Sequence, residues 1–388
     1  MAVYLEGHGE PRFFYANGTR PPNSSERRIL GTVVRSGVIS QSALARTTGL
    51  AQQSISRLVK GLVTMGAVAE GDRVLSGKRG QPGVSIRLVP EFAYTIGVSI
   101  MTEAISVILM DFSGSVLDEQ HCHLPAMTRN AVLDRTEAIV DEFVFNHSID
   151  LQRVLGMGVG ISGRYIGPGA MYNTPHALDD WALVAIDRLF EERFDMPVWV
   201  ENDGNAAAVG ESLVGVGRQY DNFAYLFIDA LLGGGIIIDH ELMRGCNGNG
   251  GEIGLLLPKN IYQHPCLESL RQTLGEYGTH FSDVSTMIEN FDIEWRGIDE
   301  WITKTQSSFS LLASALAAIL DPEAIVLGGR LPAVLARKVI PHIDIYNDSR
   351  RGKPRALPRL LISKAGGDAT AIGAASLPFK EHFFAAAA

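Results

Sequence analysis

Cysteine is scarce. The 388 residues hold 3 (Cys122, Cys246 and Cys266), an odd number set far apart, which excludes a disulfide scaffold. Long apolar runs are missing too. The best candidate, 223–238, is broken by Asp229 and by Gly233, Gly234 and Gly235, short of the ~18 uninterrupted apolar residues that would mark a membrane-spanning helix. The first 23 residues lack a basic stretch followed by an apolar core, so no secretory leader is expected. A cytoplasmic protein with no membrane attachment is the expectation. Global disorder is excluded as well, because the net charge of −9 is modest and 46% of the residues are hydrophobic. The length implies two or three domains.

What is present is unevenly spread. Residues 1–90 carry 12 Lys/Arg against 5 Asp/Glu, whereas residues 91–388 carry 22 against 38. A basic head on an acidic body is the charge pattern of a nucleic-acid-binding module fused to a soluble domain. Residues 1–23, rich in Gly, Pro and Asn, read as a flexible arm. From Ser25, a capping residue, Ile29, Leu30, Val33 and Val34 form an apolar stripe that Gly37 ends. Ser40 caps a second short helix carrying Leu44, and Gly49 ends it. A third helix is expected from about Gln52 to Met65, where Ile55, Leu58, Val59, Leu62 and Val63 recur at spacings of three and four.

The opposite face of that third helix carries Gln52, Gln53, Ser56, Arg57 and Lys60. Amides, hydroxyls and cations of this kind reach base edges and phosphates in a major groove. Two strands, 67–70 and 84–89, flank the segment Ser76-Gly-Lys-Arg-Gly-Gln-Pro-Gly83, a basic tip in which Lys78 and Arg79 can touch phosphate. Residues 24–90 therefore read as a winged helix-turn-helix, with Ser40, Gln41, Gln52, Gln53, Ser54, Ser56, Arg57, Lys60, Lys78 and Arg79 as candidate DNA contacts. The competing reading is a small helical bundle with a solvated polar helix.

From Phe92 strands and helices alternate. A meander (94–98, 104–110, 115–119), a helix (130–146) and a buried strand (154–161) are followed by a partial repeat of the same order. Two related α/β halves with a cleft between them follow from that repetition. The motifs Leu155-Gly-Met-Gly-Val-Gly-Ile-Ser-Gly163, Glu201-Asn-Asp-Gly-Asn-Ala-Ala-Ala-Val-Gly-Glu211, Gly250-Gly-Glu-Ile-Gly254, Cys266-Leu-Glu268, Val326-Leu-Gly-Gly329 and Gly366-Gly-Asp-Ala-Thr-Ala-Ile-Gly-Ala-Ala375 carry a specific likeness. In their order, and with the head, they resemble the ROK family of repressors and sugar kinases. The resemblance implies that residues 91–388 form a duplicated, actin-like and ribonuclease-H-like body of two α/β lobes. It also implies a sugar site between the lobes, with Gly163, His176, Asn202, Asp203, Glu252 and Glu268 as its residues. His176 stands where relatives carry Asn.

The departures from the family pattern decide the expected chemistry. The first phosphate loop of the kinases, Asp-x-Gly-x-Thr, corresponds here to Ser99-Ile-Met101-Thr102-Glu103. The second, Gly-Thr-Gly-x-Gly, corresponds to Asp229-Ala-Leu-Leu-Gly233. Met101 fills space, and Glu103 and Asp229 repel phosphate, so phosphoryl transfer is expected to be lost and no catalytic residue is assigned. The family's zinc segment keeps only Cys266, with His264 two residues before it. Four ligands are needed for a structural zinc, so no metal and no cofactor is expected, with Leu255–Leu257 packing in its place. The leading expectation is a sugar-responsive regulator, a repressor in type, of carbohydrate metabolism or transport genes. Its expected partners are operator DNA and a sugar or sugar phosphate, and it is expected to act as a homodimer or homotetramer. A hexose kinase and a protein-interaction module are the alternatives.

Overall fold

The computed structural model describes residues 11–74, 83–167, 169–258, 260–348 and 351–384. Residues 11–23 depart from the expectation of a flexible arm. Helix α1 (Arg12–Ala16) buries Phe13 and Phe14, each 1% exposed, and two adjacent aromatic side chains in an otherwise polar stretch supply enough apolar area to dock it. Helix α2 (Ser24–Ser36) starts two residues earlier than its sequence suggested. Asn23 is the cap, because its side chain accepts from Glu26 N–H while Glu26 accepts from Asn23 N–H. Strand β1 (Val38–Ser40), unforeseen, precedes α3 (Gln41–Thr48), and α4 (Gln52–Met65) follows as expected. Strands β2 (Val68–Val74) and β3 (Gly83–Leu88) complete the head, and β3 pairs with both β1 and β2 in a three-stranded sheet. Lys78 and Arg79 lie outside the described residues.

The body begins with β4 (Tyr94–Ile100), β5 (Ala104–Asp111) and β6 (Val116–His123), then α5 (Arg129–Asn146), β7 (Val154–Ile161), a small hairpin β8 (Arg164–Gly167) and β9 (Met171–Asn173), α6 (Ile186–Phe194) and β10 (Val198–Asn202). After α7 (Asp203–Val214) come β11 (Phe223–Ile228), β12 (Leu232–Ile238), β13 (Glu241–Leu242), α8 (Leu267–Glu276), α9 (Val284–Glu289), α10 (Ile298–Leu320), β14 (Ala324–Gly329), α11 (Ala333–Val339), β15 (Arg359–Ile362) and α12 (Ala369–His382). The two body sheets run β6-β5-β4-β7-β10 and β13-β12-β11-β14-β15. In each, the first three strands form an antiparallel meander and the last two join it in parallel. The same strand order twice is the duplicated two-lobe body that the resemblance implied.

Helices α7 and α12 lie between the sheets, and their small residues explain the Gly- and Ala-rich motifs. A Cβ on Gly373 would stand 1.7 Å from the Ala206 carbonyl oxygen, and one on Gly158 of β7 would stand 1.8 Å from that of Ala374. Backbones this close admit no side chain at either position. Beyond Pro378, Phe379 of α12 and, just after the helix, Phe383 and Phe384 pack with Phe112, Phe92, Phe13 and Phe14 in the same apolar cluster as Val33 and Val34 of α2. Head and body thereby share one core.

Candidate functional site

The cleft between the lobes has a volume of about 560 Å³. Its floor is the junction of β10 and α7. Asn202 caps α7, accepting from Gly204 N–H (3.0 Å) and Asn205 N–H (3.2 Å), and its amide donates to the Gly163 carbonyl at 2.9 Å. That arrangement fixes the next residue, Asp203, with its carboxylate facing the cleft. Ser162 Oγ donates to Asp203 Oδ2, and Gly204 N–H donates to Oδ1 at 2.8 Å. Burial nevertheless dominates and pushes the Asp203 carboxyl up to about 6, against the lowering effect of these bonds, with Asp229 adding to the rise. Glu252, which also lines the cleft, is raised by burial and by Asp203, while Arg164 opposes the rise. Gly163, His176, Asn202, Asp203 and Glu252 all line the cleft. Ser162, Arg164 and Asn249 line it too, and sequence reasoning named none of them, although Ser162 and Arg164 flank Gly163.

Glu268 is the exception among the candidates. It does not line the cleft. Arg271, one turn along α8, donates to both of its oxygens (2.8 and 2.7 Å), and Gln272 donates to Oε1 at 2.9 Å. The expected convergence of three carboxylates is therefore a pair, because the neighbouring guanidinium takes the third. His176 sits on the rim, fully exposed, with Nδ1 3.4 Å from Asp179 Oδ1.

The end of the cleft beside Asp203, where Ser99, Met101 and Asp229 meet, narrows to a cavity of about 20 Å³. Met101 is buried there. Arg330, just after β14, lines it too. Its Nε donates to Asp229 Oδ1 at 2.7 Å, while its Nη1 donates to Glu103 Oε1 at 3.0 Å and to Ser285 Oγ at 2.6 Å. Ser285 in turn donates to Glu103 at 2.6 Å. Burial tends to raise the Glu103 carboxyl, but Arg330, Ser285 and Thr102 together hold it below the usual carboxylate range. The two acids that looked merely repulsive in the sequence are thus partners of one cation, and the bond to Glu103 crosses from one lobe to the other.

The segment before α8 differs from expectation. Only Leu257 of the three leucines is buried; Leu255 is 65% and Leu256 40% exposed. Polar bonds hold the loop instead, with His264 Nε2 2.7 Å from the Leu257 carbonyl and Ser269 Oγ donating to the carbonyls of His264 and Cys266.

In the head, Ile55, Val59 and Leu62 are buried and Gln52, Gln53, Ser56, Arg57 and Lys60 of α4 are exposed, with Ser54 half-buried. Gln41 is half-buried. Ser40 is buried, its hydroxyl accepting from Ala43 N–H to cap α3 and meeting Ser42 Oγ, so it is turned away from the exposed face.

The ROK family model matches residues 95–381, and the MarR family model matches residues 21–77. The protein y4fQ of Sinorhizobium fredii is 29% identical over 371 residues, covering 94% of this chain and 92% of that one. The xylose repressor of Bacillus spizizenii is 28% identical over 235 residues, 59% of this chain and 59% of the repressor. The chain thus spans less than two thirds of that repressor's length. Among solved structures, a ROK-family transcriptional regulator homologous to Escherichia coli MLC superposes with a TM-score of 0.61 at 20% identity, covering 96% of both chains. No helix among the described residues is long and apolar enough to cross a membrane.

Proposed function

The chain belongs to the ROK family, and we propose that it is a DNA-binding transcription regulator, a repressor in type, whose effector is a sugar or sugar phosphate held in the interlobe cleft. One observation carries this reading: α7 runs from the cleft to the head. Its first residue is Asp203. Its last, Leu213 and Val214, pack in the same apolar cluster as Val33 and Val34 of α2. Twelve helical residues span about 18 Å as a rigid rod. A ligand that draws the lobes together on Asp203 moves that rod against the DNA-binding head.

Sugar hydroxyls donate to carboxylates, and Asp203 and Glu252 both line the cleft, with Arg164 there to accompany a phosphate. The kinase reading is disfavoured because the end of the cleft lined by buried Met101 and by Arg330 narrows to about 20 Å³, little room for a nucleotide's phosphates. Each winged helix reads one half-site, so a palindromic operator requires two copies of the chain.

The test uses the full chain, an operator duplex recovered by in vitro selection, and a panel of aldoses and their phosphates. A true effector raises the melting temperature by mass action and changes operator affinity. Asp203→Asn is expected to weaken that effector by ~1.5–3 kcal/mol, roughly ten- to a hundredfold. The dose–response curve then moves to higher concentration with operator affinity in its absence unchanged. Because the ionised Asp203 accepts the sugar's hydroxyl, affinity for a neutral sugar should fall as pH drops through about 6 and level off above it. The asparagine variant should lose most of that dependence. Equal effector affinity in Asp203→Asn and Glu252→Gln would sink the assignment of the cleft. ADP release with any of the sugars would favour the kinase.

Arg57→Ala and Gln53→Ala test the head. Each is expected to cost ~1–3 kcal/mol of discrimination between operator and random duplex if it reads a base through two hydrogen bonds. Unchanged discrimination in both variants would remove α4 as the reading helix.

A further inference from the structure

Away from the cleft, the seam between the lobes brings together a second set of side chains with metal-binding chemistry. Strand β6 is the edge of the first body sheet. His121 and His123 stand two residues apart on it, on the same exposed face, with ring centroids 5.5 Å apart. Cys122 between them points the other way and accepts from Arg135 Nε at 3.0 Å. From the opposite lobe, the last residue of α9, Glu289, places its Oε1 3.0 Å from His123 Nε2. One ligand atom from each of the three residues lies within 4.8 Å of the other two, and no other such group occurs among the described residues.

We propose that His121, His123 and Glu289 bind a divalent transition-metal ion of the zinc class, which staples β6 of one lobe to α9 of the other. Ligand atoms on a tetrahedral zinc stand about 3.3 Å apart, given metal–ligand distances near 2.0–2.1 Å, so small side-chain rotations close the set. Two imidazoles and one carboxylate suit zinc, nickel or copper, whereas magnesium and calcium prefer oxygen ligands throughout. The ligands are exposed, which lets the ion enter from solvent and leaves the fourth position to water.

The position gives the ion a mechanical role. Helix α9 already reaches across the seam through Ser285, which bonds Glu103 of the first lobe. A metal on Glu289 adds a second tie from the same helix, so the ion resists separation of the lobes along this edge. The site is distinct from the segment around Cys266, where the family's zinc ligands are missing.

The experiment titrates zinc chloride into full-length protein stripped of metal, by calorimetry and by melting temperature. One equivalent is expected to bind saturably and raise the melting temperature, and magnesium chloride is expected to do neither. His121→Ala, His123→Ala and Glu289→Ala should each weaken zinc by about tenfold or more while melting as the unaltered protein does without metal. Cys246→Ser, which alters an exposed thiol elsewhere, should bind as the unaltered protein does. Cobalt chloride supplies an independent readout, because a tetrahedral site with nitrogen and oxygen ligands gives an intense visible band that the histidine variants should lose. Zinc affinity unchanged in both histidine variants, loss of zinc in Cys246→Ser, or no saturable uptake would overturn the site. Wild-type affinity in Glu289→Ala would overturn the staple.

Discussion

Replacing Arg330 with alanine is expected to destabilise the protein by about 3–5 kcal/mol at neutral pH. The guanidinium is the shared partner of Glu103 and Asp229, whose side chains are 18% and 12% exposed. Its removal leaves two nearly buried carboxylates unpaired, which costs far more than loss of an exposed ion pair. The pH dependence identifies the cause. In the native protein Glu103 lies below its ordinary value, so its ionisation stabilises the fold above the unfolded-state pKa, and that contribution is lost as pH falls through the folded one. In the alanine variant the carboxyl rises, protonation relieves the unpaired charge, and the deficit relative to the unaltered protein should shrink as pH is lowered from neutrality. Arg330→Met combined with Glu103→Gln and Asp229→Asn, which removes all three charges, should recover much of the loss. Denaturant midpoints at several pH values measure all of this. A single variant that unfolds with the unaltered protein at pH 7.5 would mean that the carboxylates find another partner or water.

That ion pair also marks where sequence reasoning stops. Glu103 and Asp229 were legible as charges in degenerate phosphate loops, but their cation lies 227 and 101 residues further along the chain. No local pattern announces such a partner. Glu268 shows the converse, since its motif fixes its place at the start of α8 while Arg271, a turn later, decides where the carboxylate points. Periodic features fared better. The three- and four-residue spacing of Ile55, Val59 and Leu62 marks α4 and its exposed face, because helix geometry alone puts those side chains together. The alternating glycines of β7 marked a strand in a known motif, though the close passage of α12 over Gly158 and Gly160 became visible only in three dimensions. His121 and His123 are near each other in sequence, but Glu289 joins them through the packing of two lobes.

Phe383→Ala is expected to cost roughly 3–5 kcal/mol, the loss typical of removing a buried phenyl ring from a core. The ring is fully buried, with centroids 5.9 Å from Phe13, 5.7 Å from Phe14, 5.7 Å from Phe92 and 5.0 Å from Phe112. These neighbours come from α1, from the junction of head and body, and from the first lobe, so one truncation opens a cavity where all three meet. Phe13→Ala removes a ring from the same cluster, but α1 has only 5 residues and can undock locally. It should therefore expose the backbone of residues 11–23 to hydrogen exchange while costing less in global stability. The functional readout separates packing from coupling. If the aromatic cluster holds the head against the body, Phe383→Ala should still bind operator below its melting temperature but answer the effector more weakly, since α7 would push on a head free to yield. Phe383→Leu, which keeps most of the apolar volume, should restore much of both stability and response. A Phe383→Ala protein that melts within about 1 kcal/mol of the unaltered chain would mean that the cluster repacks without it.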